Sequence, residues 1–297
     1  MSGESKYCFV VNCASKAHTS EKLFRQYEHN INVKLPGSVI KYIRSGDSIK
    51  EFVTNKLNSF THFVACGGDG TVNQVANALA GKDKVLGVIP MGSGNDFARN
   101  IGLTGNFEKD FSILLNGIVK DIDAIQANHD LFVNTFGIGI DGLTNYYASS
   151  SKFKIGFFKY FFGGLKALYI ADPFDAKLTF NDSTVINHKS VWMVAVANGK
   201  TEGGRYMISP DSDSGDGKAE VIIVKGIPRI SLFIQFVKLS LGLVFKESII
   251  FKYDLKIKLN VSCSKQRRSH SDGEQMGKHK SYFFEMNKKA LTVITGN

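Results

Sequence analysis

The stretch HFVACGGDGTVNQVANALA, His62 to Ala80, decides how the rest of the chain is read. A strand-like run from His62 to Cys66 ends in Gly67-Gly68-Asp69-Gly70, and a helix opens at Thr71. Glycines at a strand-to-helix turn let main-chain N–H groups come close to an anion, and the helix N-terminus adds positive potential there. The stretch therefore predicts a phosphate cradle. No Gly-Lys-Ser/Thr follows, so it is not a Walker loop, and it lacks the third glycine of the dinucleotide fingerprint. Asp69 would repel a phosphate from inside such a cradle, and its presence makes sense if a magnesium ion bridges the two.

Outward from this stretch the elements alternate. Tyr7 to Val11, Val39 to Ile43 and Val85 to Ile89 read as further strands, and Glu21 to His29, Ile49 to Leu57 and Phe107 to Asn116 as helices. That is the rhythm of βαβ units around a parallel sheet, an α/β fold. The strand ending at Ile89 runs into a second glycine-rich turn, Met91-Gly92-Ser93-Gly94-Asn95-Asp96. Turns after successive parallel strands meet at the carboxyl edge of a sheet, where α/β folds bind ligands, and Ser93 and Asn95 can donate hydrogen bonds there.

After Ile122 the texture becomes mainly β, with strand-like segments at Leu131 to Phe136, Lys177 to Phe180, Val191 to Ala197, Ala219 to Val224, Ile249 to Lys252 and Leu255 to Leu259. Two helical stripes interrupt them: Phe158, Phe161, Phe162, Leu165 and Tyr169, then Ile230, Phe233, Ile234, Val237, Leu241, Val244 and Phe245. Core packing is the ordinary use of such a stripe. Gly137 to Gly142 satisfies G-x-G-x-x-G literally, but no acidic residue stands about 20 positions further on to hold a ribose, and the surroundings are β-like. At about 150 residues per domain the length makes two domains, residues 1–124 and residues 125–285.

Composition narrows the function class. The net charge of +10 falls entirely in the second half, where 23 basic residues face 13 acidic ones, against 14 and 14 up to Ser150. A basic half rich in phenylalanine suggests an anionic surface as partner, membrane head groups before nucleic acid, since no nucleic-acid module accompanies the charge. Four cysteines without a C-x-x-C pair argue against zinc. The start, MSGESKYCFVVN, lacks the basic and apolar regions of a signal peptide, and no run of about 18 apolar residues occurs. A cytoplasmic protein with reduced thiols is expected.

GGDGTVNQVANAL followed by MGSGNDFARNIG closely resembles the catalytic domain of diacylglycerol kinases, above all the bacterial lipid kinases, with sphingosine and ceramide kinases more distant. FVNTFGIGID, Phe132 to Asp141, resembles the family's F-x-N-x-x-G-x-G-x-D stretch, Ser209-Pro210 leading to Asp216-Gly217 its magnesium loop, and Asp272-Gly273-Glu274 its D-G-E motif. The resemblance implies an ATP-binding α/β domain to which a segment near 286–297 returns, a β-rich sandwich domain for the lipid substrate, and phosphorylation of a membrane lipid alcohol such as diacylglycerol. It further implies that Gly67, Gly68, Asp69, Gly70, Thr71, Val72, Asn73, Ser93 and Asn95 hold the triphosphate of ATP with Mg2+, and that Asp213, Asp216 and Lys218 hold a structural magnesium. Glu274 is the favoured base, with Asp272 or Asp69 organising magnesium. In an extended segment the carboxylates of Asp272 and Glu274 would share one face.

Two positions depart from the family pattern. Asn12 is followed by Cys-Ala-Ser-Lys-Ala where the family has Asn-Pro-x-Ser/Ala-Gly, and Tyr42 stands where threonine is common, so nucleotide contact at Asn12 and Tyr42 rests on position alone. A soluble kinase substrate and a non-catalytic sensor are the competing readings; the GSGNDFA and D-G-E pair favours a lipid. Docking of the basic half on an anionic membrane follows, with Lys152, Lys154, Lys159 and Lys166 beside the phenylalanine stripe. A homodimer is compatible with this reading.

Overall fold

The structure, a computed structural model, describes residues 6–15, 20–128, 130–151, 156–204 and 206–296, without the side chains of Gly156 and Phe157. It divides into two units, Met1–Ile122 with Lys289–Asn297, and Asp123–Lys288.

In the first unit β1 (Tyr7–Asn12), β2 (Val39–Ile43), β3 (His62–Gly67) and β4 (Val85–Pro90) lie parallel in the order β2-β1-β3-β4. Thr292 and Val293, near the end of the chain, add a further parallel strand beside Val85 and Leu86. The helices are α1 (Ser20–Arg25), α2 (Glu28–Lys34), α3 (Ile49–Lys56), α4 (Asp69–Leu79), α5 (Asp96–Asn100) and α6 (Phe107–Asn116). Both faces of β1 are buried, as a central parallel strand requires. Phe9 and Val11 pack with Phe24, Ile31, Phe111 and Leu114, while Cys8 and Val10, which alternate with them along the strand, are buried on the opposite face. Side chains cap two helices at the predicted places: Ser48 accepts from the Glu51 N–H at 3.2 Å and Asn106 from the Lys109 N–H at 3.1 Å. The helix expected over Glu21 to His29 is instead two. Phe24 packs against Phe9, and Tyr27 at the junction stacks on Phe107 at 3.6 Å, so the chain turns to bury both.

The chain passes between the units within β5 (Ile118–Ala127) and β15 (Glu274–Thr295). The second unit holds β6 (Asp130–Phe132), β7 (Thr135–Gly139), α7 (Ile140–Ser149), α8 (Gly156–Ile170), β8 (Phe174–Phe180), β9 (Val185–Ala197), β10 (Thr201–Glu202), β11 (Tyr206–Met207), β12 (Ala219–Lys225), α9 (Arg229–Ser240), β13 (Ile250–Leu255) and β14 (Lys258–Ser271). Its strands run antiparallel in the order β13-β12-β9-β7-β14-β15, and β8 pairs with the far ends of both β9 and β14. Phe132, Phe136, Tyr282 and Phe284 meet edge-on in the core between strands, Phe136 and Phe284 at 5.0 Å. On the opposite face Trp192, Ala195, Ile222 and Val224 pack with Leu168 of α8 and with Leu232 and Leu239 of α9.

The two helical stripes do not serve the core as expected. Phe158 and Phe162 are 44% exposed, Tyr169 86%, Ile230 66% and Leu241 72%. These helices are apolar on most of their circumference, and the sheet face they cover takes only one side.

Candidate active site

β3 delivers Gly67-Gly68 to the N-terminus of α4, and β4 delivers Met91-Gly92 to the loop before α5. The Met91 N–H donates to the Gly67 carbonyl at 2.8 Å, so the two turns run side by side. A Cβ on Gly92 would stand 2.4 Å from the Gly68 Cα, an approach that needs glycine. Asn95, left-handed at φ 58°, closes its own turn: its Oδ1 accepts from the Gly92 N–H at 2.9 Å and its Nδ2 donates to the Gly92 carbonyl at 3.0 Å. Asp69 joins the turns, accepting the Asn95 N–H at 2.7 Å and the Phe97 N–H at 3.2 Å. Two main-chain dipoles thus offset its charge beside the cradle.

Asn12 donates to the Thr71 hydroxyl at 2.9 Å, which brings the altered first loop to the same place. The N–H groups of Thr71 and Val72 return to the Gly68 carbonyl, and Val72 is 2% exposed, so Val72 spends itself on the helix and its packing. Asn73 is bridged by the Asn77 side chain, and Ser93 is exposed at the tip of the second turn. Tyr42 is occupied elsewhere: its hydroxyl donates to Glu28 and its ring lies under the Arg25 guanidinium at 4.4 Å. Burial first, then Glu28, raises its pKa. Lys16 of the first loop, and Lys152 and Lys154, lie outside the described residues.

In the second unit the D-G-E motif is a hairpin turn. Ser271 pairs with Glu274, and Asp272 and Gly273 between them have φ values of 47° and 85°, the two left-handed residues of a tight two-residue loop. The extended geometry expected for Asp272 and Glu274 is therefore wrong: the tight turn replaces the strand pleat on which a shared face depended. Asp272 is 8% exposed, and its carboxylate accepts the N–H groups of Val133 at 2.9 Å, Asn134 at 2.9 Å and Thr135 at 3.0 Å. These three bonds also explain why the strand expected over Leu131 to Phe136 breaks between β6 and β7. Glu274, by contrast, is exposed.

A trio that sequence reasoning missed lies under this turn. Asp141 from the first turn of α7, Glu202 from β10 and His270 from β14 converge, with His270 Nε2 at ion-pair distance, 2.8 Å from Glu202 and 3.2 Å from Asp141. Burial pushes the His270 pKa down, but the charges of Glu202 and Asp141 outweigh it and hold the imidazole well above its usual range. A Cβ on Gly137 would come within 2.0 Å of Asp141 and 2.4 Å of His270, so the first glycine of the G-x-G pair is the space the trio occupies. The three residues are far apart in the chain; only the presence of Asp141 in the quoted motif could have pointed to them.

Asp141 and Glu202 also line a cavity whose other walls are mostly apolar, among them Tyr160, Gly164, Leu168, Phe236 and Phe245. The turn adjoins this wall: Asn145 donates to the Gly273 carbonyl at 2.8 Å, and a Cβ on Gly273 would stand 3.6 Å from the Tyr160 hydroxyl.

The loop from Ser209 to Lys218 carries the residues to which the resemblance assigns a structural magnesium. Asp213 accepts the Gly215 N–H and Asp216 the Lys218 N–H, each within its own loop. The Lys218 ammonium stands 3.5 Å from Asp254, 3.6 Å from Glu220 and 4.0 Å from Asp216. Among the described residues, the group with metal-ligand spacing is the Asp141–Glu202–His270 trio.

Residues 6–127 match the diacylglycerol kinase catalytic domain, and residues 134–295 the YegS C-terminal NAD kinase beta sandwich-like domain. The chain is 30% identical over 239 residues to a diacylglycerol kinase of Bacillus subtilis (strain 168), covering 78% of this chain and 77% of that one. It is 27% identical over 280 residues to a diacylglycerol kinase of Staphylococcus saprophyticus, covering 89% and 90%. In fold it is similar to the crystal structure of a diacylglycerol kinase from Bacillus anthracis, with a TM-score of 0.75 over 99% of this chain and 98% of that one at 21% identity. Both domain matches occur in order, and the first holds the two glycine turns while the second holds the D-G-E turn; the chain belongs to the diacylglycerol kinase family and is a lipid kinase.

Proposed function

We propose that the chain transfers the γ-phosphoryl group of magnesium ATP to the hydroxyl of a membrane lipid with acyl chains, diacylglycerol being the first candidate. The observation that carries this reading is the cavity of the second unit, apolar along its walls and bearing Asp141 and Glu202 at one side. Such a pocket takes a hydrocarbon chain and offers hydrogen-bond acceptors to a hydroxylated head. The glycine turns of the first unit hold the triphosphate through main-chain N–H groups, with magnesium arriving as the counter-ion of the nucleotide.

Glu274 serves as the base for the lipid hydroxyl. It is exposed, whereas the Asp272 carboxylate already receives three N–H groups and acts by holding the turn. The exposed apolar faces of α8 and α9, with Lys159 and Lys166 on α8, support docking on an anionic bilayer from which the lipid enters. A soluble substrate would find little to bond along these cavity walls.

The test is transfer of labelled γ-phosphate from ATP to a panel of extracted lipids in mixed micelles, comparing wild type with Glu274→Ala. A labelled lipid that disappears in the variant supports the reading. Nucleotide binding with no labelled lipid from any fraction overturns it. Vesicle binding that ignores both anionic lipid content and ionic strength overturns the docking.

A further inference from the structure

On the other side of α7 from the apolar cavity lies a second, more polar cavity. Arg267, Arg268 and Lys278 line it together with Tyr146, Tyr147 and Gln266. We infer that this cavity binds the phosphate group of an anionic ligand, at a site separate from the glycine turns and from the D-G-E turn. The binding requires no catalysis and does not rest on the lipid-kinase reading.

The arrangement of charge carries the inference. Arg268 and Lys278 stand directly opposite one another in the β14–β15 ladder, where like charges oppose pairing. Among the described residues no carboxylate lies within ion-pair distance of Arg267, Arg268 or Lys278. Asp172, the acid lining the cavity, is already paired with Arg229 at 3.3 Å.

The two arginines are held in place rather than loose in solvent. The Arg268 guanidinium stacks 3.5 Å from the centre of the Tyr146 ring, and Lys166 brings another ammonium 4.3 Å from the centre of Tyr147. Arg267 is fixed by a bond from Nη2 to the Pro173 carbonyl at 3.1 Å and by the Phe174 ring at 4.8 Å, while its Nε is buried with no hydrogen-bond partner. A planar guanidinium so positioned suits the oxygens of a phosphate, which would also relieve the Arg268–Lys278 repulsion. Beneath them Gly142 packs so closely that a Cβ would meet the Arg268 carbonyl at 2.3 Å, which ties the floor of the site to α7.

The shared chemistry is a phosphate, and two sources can present it. Binding is measured by calorimetry with inorganic phosphate and with glycerol 3-phosphate, and by co-sedimentation with phosphatidylcholine vesicles with and without phosphatidylglycerol. The variants are Arg268→Ala, Lys278→Thr and, as a charge control on the same strand outside the cavity, Lys265→Ala. The expected result is binding by at least one source, weakened about tenfold by each cavity variant and unchanged by Lys265→Ala. Binding of the soluble phosphates assigns a free ligand; binding of phosphatidylglycerol vesicles alone assigns a lipid head group. Lys278→Thr should also raise the melting temperature without ligand, which verifies folding. Binding by neither source, or binding that all three variants weaken alike, overturns the inference.

Discussion

Replacing Asp272 by asparagine separates a residue that holds the turn from one that reacts. The carboxylate receives three main-chain N–H groups within 3.0 Å, and the residue sits left-handed at φ 47°. Asparagine tolerates that backbone about as well as aspartate, so strain is not the variable. What changes is one oxygen, which becomes an NH2 facing N–H donors. A buried donor left without its acceptor costs about 1–3 kcal/mol, and loss of one good contact with weakening of the others gives about 2 kcal/mol for Asp272→Asn. For a domain of this size that lowers Tm by about 4–8 °C. Asp272→Ala removes both acceptor oxygens from the three N–H donors and adds left-handed strain, for about 3–5 kcal/mol. Differential scanning calorimetry on wild type, Asp272→Asn and Glu274→Gln, paired with phosphoryl-transfer rates, tests this directly. Glu274→Gln should keep the wild-type Tm and lose activity, whereas Asp272→Asn should lose stability and retain measurable turnover well below its new Tm. An Asp272→Asn protein that melts like wild type yet transfers no phosphate would refute the reasoning, because Asp272 would then be a reacting group.

Three further outcomes follow from the geometry. Because Glu202 and Asp141 hold the folded-state pKa of His270 well above 6.5 against the pull of burial, the folded protein keeps a proton the unfolded chain releases. That stability is fully present below about pH 6.5 and drains away as pH rises through the folded pKa; urea midpoints should show the slope in wild type, and a His270→Gln protein with the same slope would contradict it. Gly92→Ala places a Cβ 2.4 Å from the Gly68 Cα and pushes the two turns apart, so kcat/KM for ATP should fall about a hundredfold while the melting temperature of the second unit holds. Steady-state kinetics with ATP varied are the measurement, and an unchanged KM and kcat would remove the turns from nucleotide binding. Val224→Phe fills part of the apolar cavity, and its signature is a raised KM for the lipid with the KM for ATP untouched; equal effects on both would mean the cavity is not the lipid site.

The cradle was legible because its parts are contiguous. Strand, glycines and helix follow one another from His62 to Ala80, so the motif can be read locally even though Gly92, Asn95 and Phe97 of the next turn complete its shape. Phe107–Asn116 was legible to the residue for the same reason, since its cap, Asn106, immediately precedes it. The side to which a helix turns was not. Spacing identified the stripes of α8 and α9, but their apolar surface extends nearly all round, and only the sheet decides that Leu232 and Leu239 go inward while Ile230 and Leu241 do not.

Long-range convergence defeats sequence reading for a different reason. Asp-Gly between two strands is a strong hairpin signal, yet what Asp272 does depends on donors at Val133, Asn134 and Thr135, which the chain visits long before. The same holds for Gly137. Read locally, it belongs to a G-x-G-x-x-G string that suggests a nucleotide; in the fold its missing Cβ is the room in which Asp141 and His270 meet. Thr135 links the two arrangements, giving its N–H to Asp272 and its hydroxyl to Glu202 at 3.2 Å. The turn that presents Glu274 and the acids that line the apolar cavity therefore rest on one short strand, β7, and a substitution there should disturb both at once.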